Sequence, residues 1–142
     1  MSLRVGLIGA GGVGHKRAVA VARDARSQLA LVCDLGESRA VALATQYGAR
    51  STSDWEAAAD AGDLDLIIVS TTHDMLSPVS VRALQAGKHV LCEKPMGRTA
   101  HEARQATEAA SNSGRILHAG YNHRFHPAIL AAHEAATTGE LG

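Results

Sequence analysis

The sequence predicts an α/β fold: one domain over residues 1–142, built as a doubly wound parallel six-stranded sheet with helices on both faces. Three observations predict it. Short apolar runs alternate with helical patterns along the chain at short spacing, the arrangement that produces right-handed βαβ crossovers. The runs are continuously apolar, as strands buried on both faces are. Alanine is the commonest residue and aromatics make up only 3%, which suits helices packed close on a sheet.

The elements follow in order. Leu3–Ile8 is the first strand. A glycine turn leads into a helix from Gly12 to about Ala25, with Gly14, Ala18, Val21, Ala22 and Ala25 on one face. Gln28–Cys33 is the second strand and ends at Asp34. Glu37–Tyr47 is a helix stopped by Gly48. Ala49–Ser51 is a short third strand. Ser53 or Asp54 caps a helix from Trp55 to about Ala61, closed by Gly62. Asp65–Ser70 is the fourth strand. Ser77-Pro78 reads as an N-cap followed by a first-turn proline, opening a helix to Ala86 that stops at Gly87. His89–Cys92 is the fifth strand. Thr99 caps a helix to about Ser111, with Glu102 completing a capping box. Arg115–Tyr121 is the sixth strand, and His126-Pro127 opens a last helix to about Thr138.

Composition excludes several classes. Charged residues are 20% and hydrophobic residues 46%, a globular balance. Lys+Arg and Asp+Glu are equal at 14 each, which argues against a nucleic-acid partner and against a polybasic membrane-surface protein. The N-terminus lacks the pattern of a secretory leader. The most apolar stretch, Leu64 to Val69, contains Asp65 and is too short to span a bilayer. Cys33 and Cys92 each end an apolar run and read as reduced thiols of a cytoplasmic protein.

Gly9-Ala10-Gly11-Gly12-Val13-Gly14 fits G-x-G-x-x-G between a strand and a helix. In the Rossmann reading, Gly9 makes the tight turn, Gly11 lets backbone approach a pyrophosphate, and Gly14 lets helix and strand pack closely. The helix N-terminus, at Gly12 and Val13, offers free amides and a positive dipole end to the phosphates. Asp34 lies 20 residues after Gly14, where a carboxylate accepts from both hydroxyls of the adenosine ribose. It would repel a 2′-phosphate, so NAD is expected over NADP. Arg39 could accommodate that phosphate but is read as lying on the solvated face of its helix.

Two later segments carry a family resemblance. Ala86-Gly87-Lys88-His89-Val90 with Glu93-Lys94-Pro95, and Gly120-Tyr121-Asn122-His123-Arg124-Phe125-His126-Pro127, resemble the "AGKHV..EKP" and "GYN.RF.P" segments of the Gfo/Idh/MocA oxidoreductases. The resemblance implies that Glu93 and Lys94 sit beside the nicotinamide and its ribose. It also implies that Lys94 is the catalytic lysine, with Pro95 fixing its loop, and that Asn122 and Arg124 lie near the nicotinamide end or substrate mouth. Pro95 biases Lys94 toward extended backbone, and its peptide bond is a candidate for cis.

The residues lend their own support. Gly9–Gly14, Asp34, Ser70–His73, Glu93–Pro95 and Tyr121–Arg124 all follow strand C-termini, the edge at which open α/β sheets bind ligands. Taking hydride from a carbinol carbon also requires the hydroxyl to lose its proton, and a desolvated lysine can assist.

One segment departs from the family. Where Thr-Pro-Asn and then a histidine are usual, this chain has Ser70-Thr71-Thr72-His73-Asp74-Met75-Leu76. Ser70, Thr71 and His73 are kept as cofactor-side candidates, with His73 equally readable as a surface turn residue. No metal site is expected, because His118, His123 and His126 lack a cysteine or carboxylate at zinc spacing. His15 reads as solvated, and His89 and Trp55 as packing.

The family's second α/β domain builds the substrate pocket, and Thr138–Gly142 resembles the turn into it. The expected function is therefore the cofactor domain of an NAD-dependent oxidoreductase. Its small-molecule substrate is a sugar, polyol or related carbinol, and the chain alone is inactive. An uncovered docking surface would favour a homo-oligomer. The alternative is a stand-alone NAD-binding or regulatory module without turnover.

Overall fold

The computed structural model describes residues 2–140. The elements run β1 (Leu3–Ile8), α1 (Gly12–Arg23), β2 (Ser27–Cys33), α2 (Glu37–Tyr47), β3 (Arg50–Thr52), α3 (Trp55–Asp60), β4 (Leu66–Val69), α4 (His73–Gln85), β5 (His89–Cys92), α5 (Ala100–Ser113), β6 (Leu117–Ala119), a 3₁₀ turn (Asn122–Phe125) and α6 (Pro127–Thr137). Leu141 and Gly142, the end of the segment read as a turn into another domain, lie outside the described residues.

The strands form one six-stranded sheet in the order β3-β2-β1-β4-β5-β6, and every pairing is parallel. The order reverses direction between β1 and β4. Loops leaving these two neighbours diverge to opposite faces and open a crevice at their carboxyl ends. The backbone there is closely tied: Gly9 N–H donates to the Cys33 carbonyl and Ser70 N–H to the Ile8 carbonyl, both at 2.8 Å.

Side chains of successive strand residues enter two different cores, which is why the strands read as continuously apolar. Val5, Leu7, Leu29, Val32 and Ile68 pack with Ala18 and Val21 of α1 and Ala40, Leu43 and Ala44 of α2. Ile8, Leu31, Cys33, Ile67, Val69 and Val90 pack with Ala58 and Ala59 of α3, Leu76, Val79, Ala83 and Leu84 of α4 and Ala109 of α5. The alanines on the helix faces keep both layers close to the sheet.

Several boundaries differ from the sequence expectation. Helix α1 ends at Arg23, and its buried stripe is Gly14, Ala18 and Val21. Ala22 turns to solvent and Ala25 falls beyond the helix. Helix α4 begins at His73 rather than after Ser77, with Thr72 as N-cap and Pro78 inside. The Ser-Pro start signal is overridden by burial of Leu76. Ser77 donates instead to the Glu102 carbonyl at 2.8 Å, bridging α4 and α5. The capping box at Thr99 is half formed. Thr99 Oγ1 accepts from Glu102 N–H, while the Glu102 carboxylate accepts from Arg98 N–H at 2.7 Å, one residue before the expected partner. Strand β6 is Leu117–Ala119, shorter than Arg115–Tyr121. Helix α6 has no buried residue, and Ile129 and Leu130 are exposed. Among the described residues, no helix is long and apolar enough to cross a membrane.

Leu76 is wholly buried between α4 and the sheet. Leu76→Ala should therefore lower unfolding free energy by about 2–5 kcal/mol, measured by urea denaturation with an unchanged m-value.

Candidate functional site

The glycines of the first loop separate into two kinds. Gly9 has φ +103°, and a Cβ there would meet the Ser70 carbonyl group. Gly14 packs so closely on the Gly9 carbonyl that a Cβ would collide with it. Ser70 Oγ also donates to that carbonyl at 2.7 Å. Both glycines are therefore demanded by the packing of α1 on the ends of β1 and β4.

Gly11 and Gly12 are not. Gly11 has φ −75° and ψ −171°, extended backbone that any residue adopts. A Cβ at either position would meet nothing within 4 Å. Gly11 is also the N-cap of α1, with no side-chain cap bond and no acidic residue in the first turn. The first amides of α1 have no partner within the helix, and they lie beside this free space.

Asp34 follows β2 on the other side of the crevice, with its side chain 10% exposed. Its Oδ2 accepts from Ala10 N–H at 2.8 Å and its Oδ1 from Gly36 N–H at 2.8 Å. Arg39 also donates to Oδ1, through Nη2 at 2.6 Å and Nε at 3.1 Å. Burial pushes the carboxyl up, but Arg39 and the two amides outweigh it and hold the group below the usual carboxylate range. Arg39 lies on the exposed face of its helix, as expected, and also pairs with Asp34. Its side chain is 61% exposed, yet its guanidinium folds back onto Asp34.

Gly9, Gly11, Gly12, Val13, Asp34, Ser70 and Thr71 line one cavity of about 560 Å³. Gly14 lies beneath it through its contact with Gly9. Leu35, Arg39, Trp55, Thr72, Met75 and Val79 line it as well; of these, Leu35, Met75 and Val79 were not singled out in the sequence. Met75 and Val79 are one turn apart on α4, a signal readable only once α4 is known to start at His73. Trp55 is the first residue of α3, and its indole serves cavity and core together. His73 is exposed in the first turn of α4 and stands outside the lining.

The second cluster follows β5 and β6 on the same sheet edge. Glu93 is 8% exposed, and its carboxylate is ion-paired with Arg17 of α1. Gly120 leaves room for it, since a Cβ there would lie 3.0 Å from Glu93 Oε2. Arg17, three residues beyond Gly14 on the helix, was not singled out in the sequence. Lys94 is exposed, not desolvated as expected, because nothing in the described chain covers it. The Lys94–Pro95 bond is cis. Asn122 and Arg124 are exposed in the 3₁₀ turn after β6.

Two other histidines hold local structure. His89 Nδ1 accepts from Ile116 N–H, and His126 Nδ1 from Ala128 N–H at the start of α6. Among the described residues, no group of three His, Cys, Asp or Glu side chains is placed to hold a metal ion.

A family model matches this chain over residues 3–121, that of the Gfo/Idh/MocA oxidoreductase family with an NAD-binding Rossmann fold. The chain belongs to this family. Residues 3–121 match that family's NAD-binding Rossmann fold. The chain is 35% identical to the inositol 2-dehydrogenase of Rhizobium meliloti (strain 1021) over 100% of its own length and 43% of that protein's. It is similar to GenD2 of gentamicin A biosynthesis, solved in complex with NAD: TM-score 0.91, 32% identity, covering 95% of this chain and 39% of that one. It is also similar to a levoglucosan dehydrogenase solved with NADH and L-sorbose: TM-score 0.85, 29% identity, covering 99% of this chain and 40% of that one. The chain thus spans less than half the length of these relatives.

Cys33 ends β2 at the cavity. Burial, then the charges of Asp34 and Asp54, push its thiol up to about 11. Burial likewise raises Cys92. At about pH 8 both thiols stay protonated and covered, so DTNB should react negligibly with the native chain and with both free cysteines after denaturation.

Proposed function

We propose that this chain holds NAD across the β1/β4 crevice, as the cofactor half of a dehydrogenase acting on a sugar or polyol carbinol. The observation that carries the reading is the free space over Gly11 and Gly12. Neither the backbone conformation at Gly11 nor neighbouring atoms call for glycine there. A pyrophosphate seated on the first-turn amides of α1 does. Arg39 and Asp34 then flank the adenosine ribose, and Trp55, Met75 and Val79 offer the apolar lining an adenine ring needs.

The bound nicotinamide supplies the hydride acceptor or donor. Glu93, held by Arg17, and Lys94 border the sheet edge toward which the nicotinamide half extends. Lys94 Nζ hydrogen-bonds the carbinol oxygen and takes part in moving its proton, a contribution that requires desolvation by whatever closes over the site. The sugar and polyol class is supported by relatives named as dehydrogenases of inositol and levoglucosan. A binding module without turnover has no use for a lysine at that edge.

Calorimetric titration of the 142-residue chain tests this. NAD should bind, and more tightly than NADP. Asp34→Ala should weaken NAD by about tenfold or more, the scale of hydrogen bonds to a charged group. Lys94→Ala should leave binding nearly unchanged, since its role lies in the chemistry. Absence of NAD binding, or an Asp34→Ala variant that binds NAD as well as the unmutated chain, would contradict the proposal.

A further inference from the structure

The wall of the crevice cavity at Trp55 is held from outside the cavity. This residue, the single tryptophan of the chain, is the first residue of α3 and borders two hollows. One is the crevice cavity of about 560 Å³. The other is a groove of about 710 Å³ over α3, α4 and α5, which Pro78, Val81, Arg82 and Gln105 also line. The indole therefore stands as a partition between the two. Arg82 borders the groove and has no place in the cavity lining. It can influence a ligand in the cavity only through the indole.

The guanidinium carbon of Arg82 lies 5.8 Å from the centroid of the Trp55 ring, within the range of a cation–π contact. Two carboxylates keep it there. Arg82 Nε donates to Asp60 Oδ1 at 3.1 Å and Nη2 donates to Asp60 Oδ2 at 2.7 Å. Arg82 Nη1 is paired with Glu56 Oε2 at 2.9 Å. Glu56 and Asp60 lie on the same short helix as Trp55, so α3 draws the planar fork of α4 onto its own aromatic residue. The Arg82 side chain is 37% exposed and both carboxylates are more exposed still. Ion pairs in that setting contribute little to folding. The buried Ala58 and Ala59 hold α3 to the core. What the ion pairs do fix is the direction of the cation, and through it the half-buried indole, whose other staggered rotamers would forfeit the contact.

We propose that Arg82 is a positioning residue for the adenine end of the site: clamped by Glu56 and Asp60, it holds the Trp55 indole in place as the cavity wall. This rests on reading the crevice as the dinucleotide site. A wall set before the ligand arrives spares the adenine the cost of ordering it. Without the cation the indole is free to swing toward the groove, and the cavity loses apolar surface at that end. Arg82 thus acts on affinity from a surface that no part of the dinucleotide touches.

The test measures dissociation constants of NAD and AMP, acrylamide quenching of the single tryptophan and the melting temperature. The chains compared are the unmutated one, Arg82→Met, Arg82→Lys, Trp55→Leu and the double variant. Arg82→Met keeps the length of the stem and removes the cation. It should weaken NAD and AMP alike by about fivefold, the scale of a partly exposed cation–π contact. Quenching of Trp55 in the free chain should increase, and the melting temperature should stay close to that of the unmutated chain. Arg82→Lys keeps the cation and should recover most of the affinity and of the protection from acrylamide. In the Trp55→Leu background, Arg82→Met should change AMP binding by less than about twofold, because an effect carried by the indole vanishes with it. AMP bound equally well by Arg82→Met, quenching unchanged, or the same loss persisting in the Trp55→Leu background would each overturn the proposal. Should Trp55→Leu not fold, an Arg82→Lys chain no better than Arg82→Met would overturn it instead. If the unmutated chain binds NAD and only the Arg82 effect is missing, the dinucleotide reading stands. If it binds neither NAD nor AMP, both fall.

Discussion

The contact of Gly14 on the carbonyl of Gly9 is the constraint on which the rest of the site depends. It brings the first turn of α1 against the turn that leaves β1, leaving no room for a side chain between them. Ser70, at the end of β4, completes the knot by donating to the same carbonyl. Helix start, strand β1 and strand β4 are thereby fixed at the point where the sheet order reverses. The orientation of the α1 amides, the mouth of the cavity and the approach of Asp34 through its bond to the Ala10 amide all follow from that packing.

A second tie runs along the same helix. One turn beyond Gly14, Arg17 reaches the buried carboxylate of Glu93 at the end of β5. Removing one partner of such a pair leaves the other charge buried without compensation, a cost larger than the net value of the pair. The helix whose first turn borders the crevice therefore also holds the loop carrying Lys94. The first turn of α1 and the loop after β5 are thus coupled through one rigid element, while Lys94 is exposed.

The architecture and the glycine loop were legible because they rest on local chemistry: apolar runs of strand length, helix stops at Gly48 and Gly87, and glycine spacing between a strand and a helix. What was not legible is tertiary. Ser77-Pro78 carries a strong local start signal, yet burial of Leu76 extends α4 back to His73, and that displacement hides Met75, one turn before Val79, as a cavity residue. Trp55 reads as core because nothing local tells that α3 borders the crevice. Arg39 and Arg17 each act across space, on Asp34 and Glu93. An arginine on a helix gives no sequence sign of which way its guanidinium turns. For His73 the sequence left two readings open, and its exposed place at the start of α4 agrees with the surface one.

In the proposed function, Gly11 serves a ligand and not the fold. Gly11→Asn separates the two. Asparagine is a better N-cap than most residues and fits the extended backbone observed there, but its side chain fills the space over the α1 amides. The measurement is the melting temperature and NAD dissociation constant of the same Gly11→Asn chain. The expected result is an unchanged or raised melting temperature with NAD weakened by about 100-fold, the scale of losing more than one charge-assisted bond to phosphate. NAD bound as tightly as by the unmutated chain would contradict the claim and place the dinucleotide elsewhere.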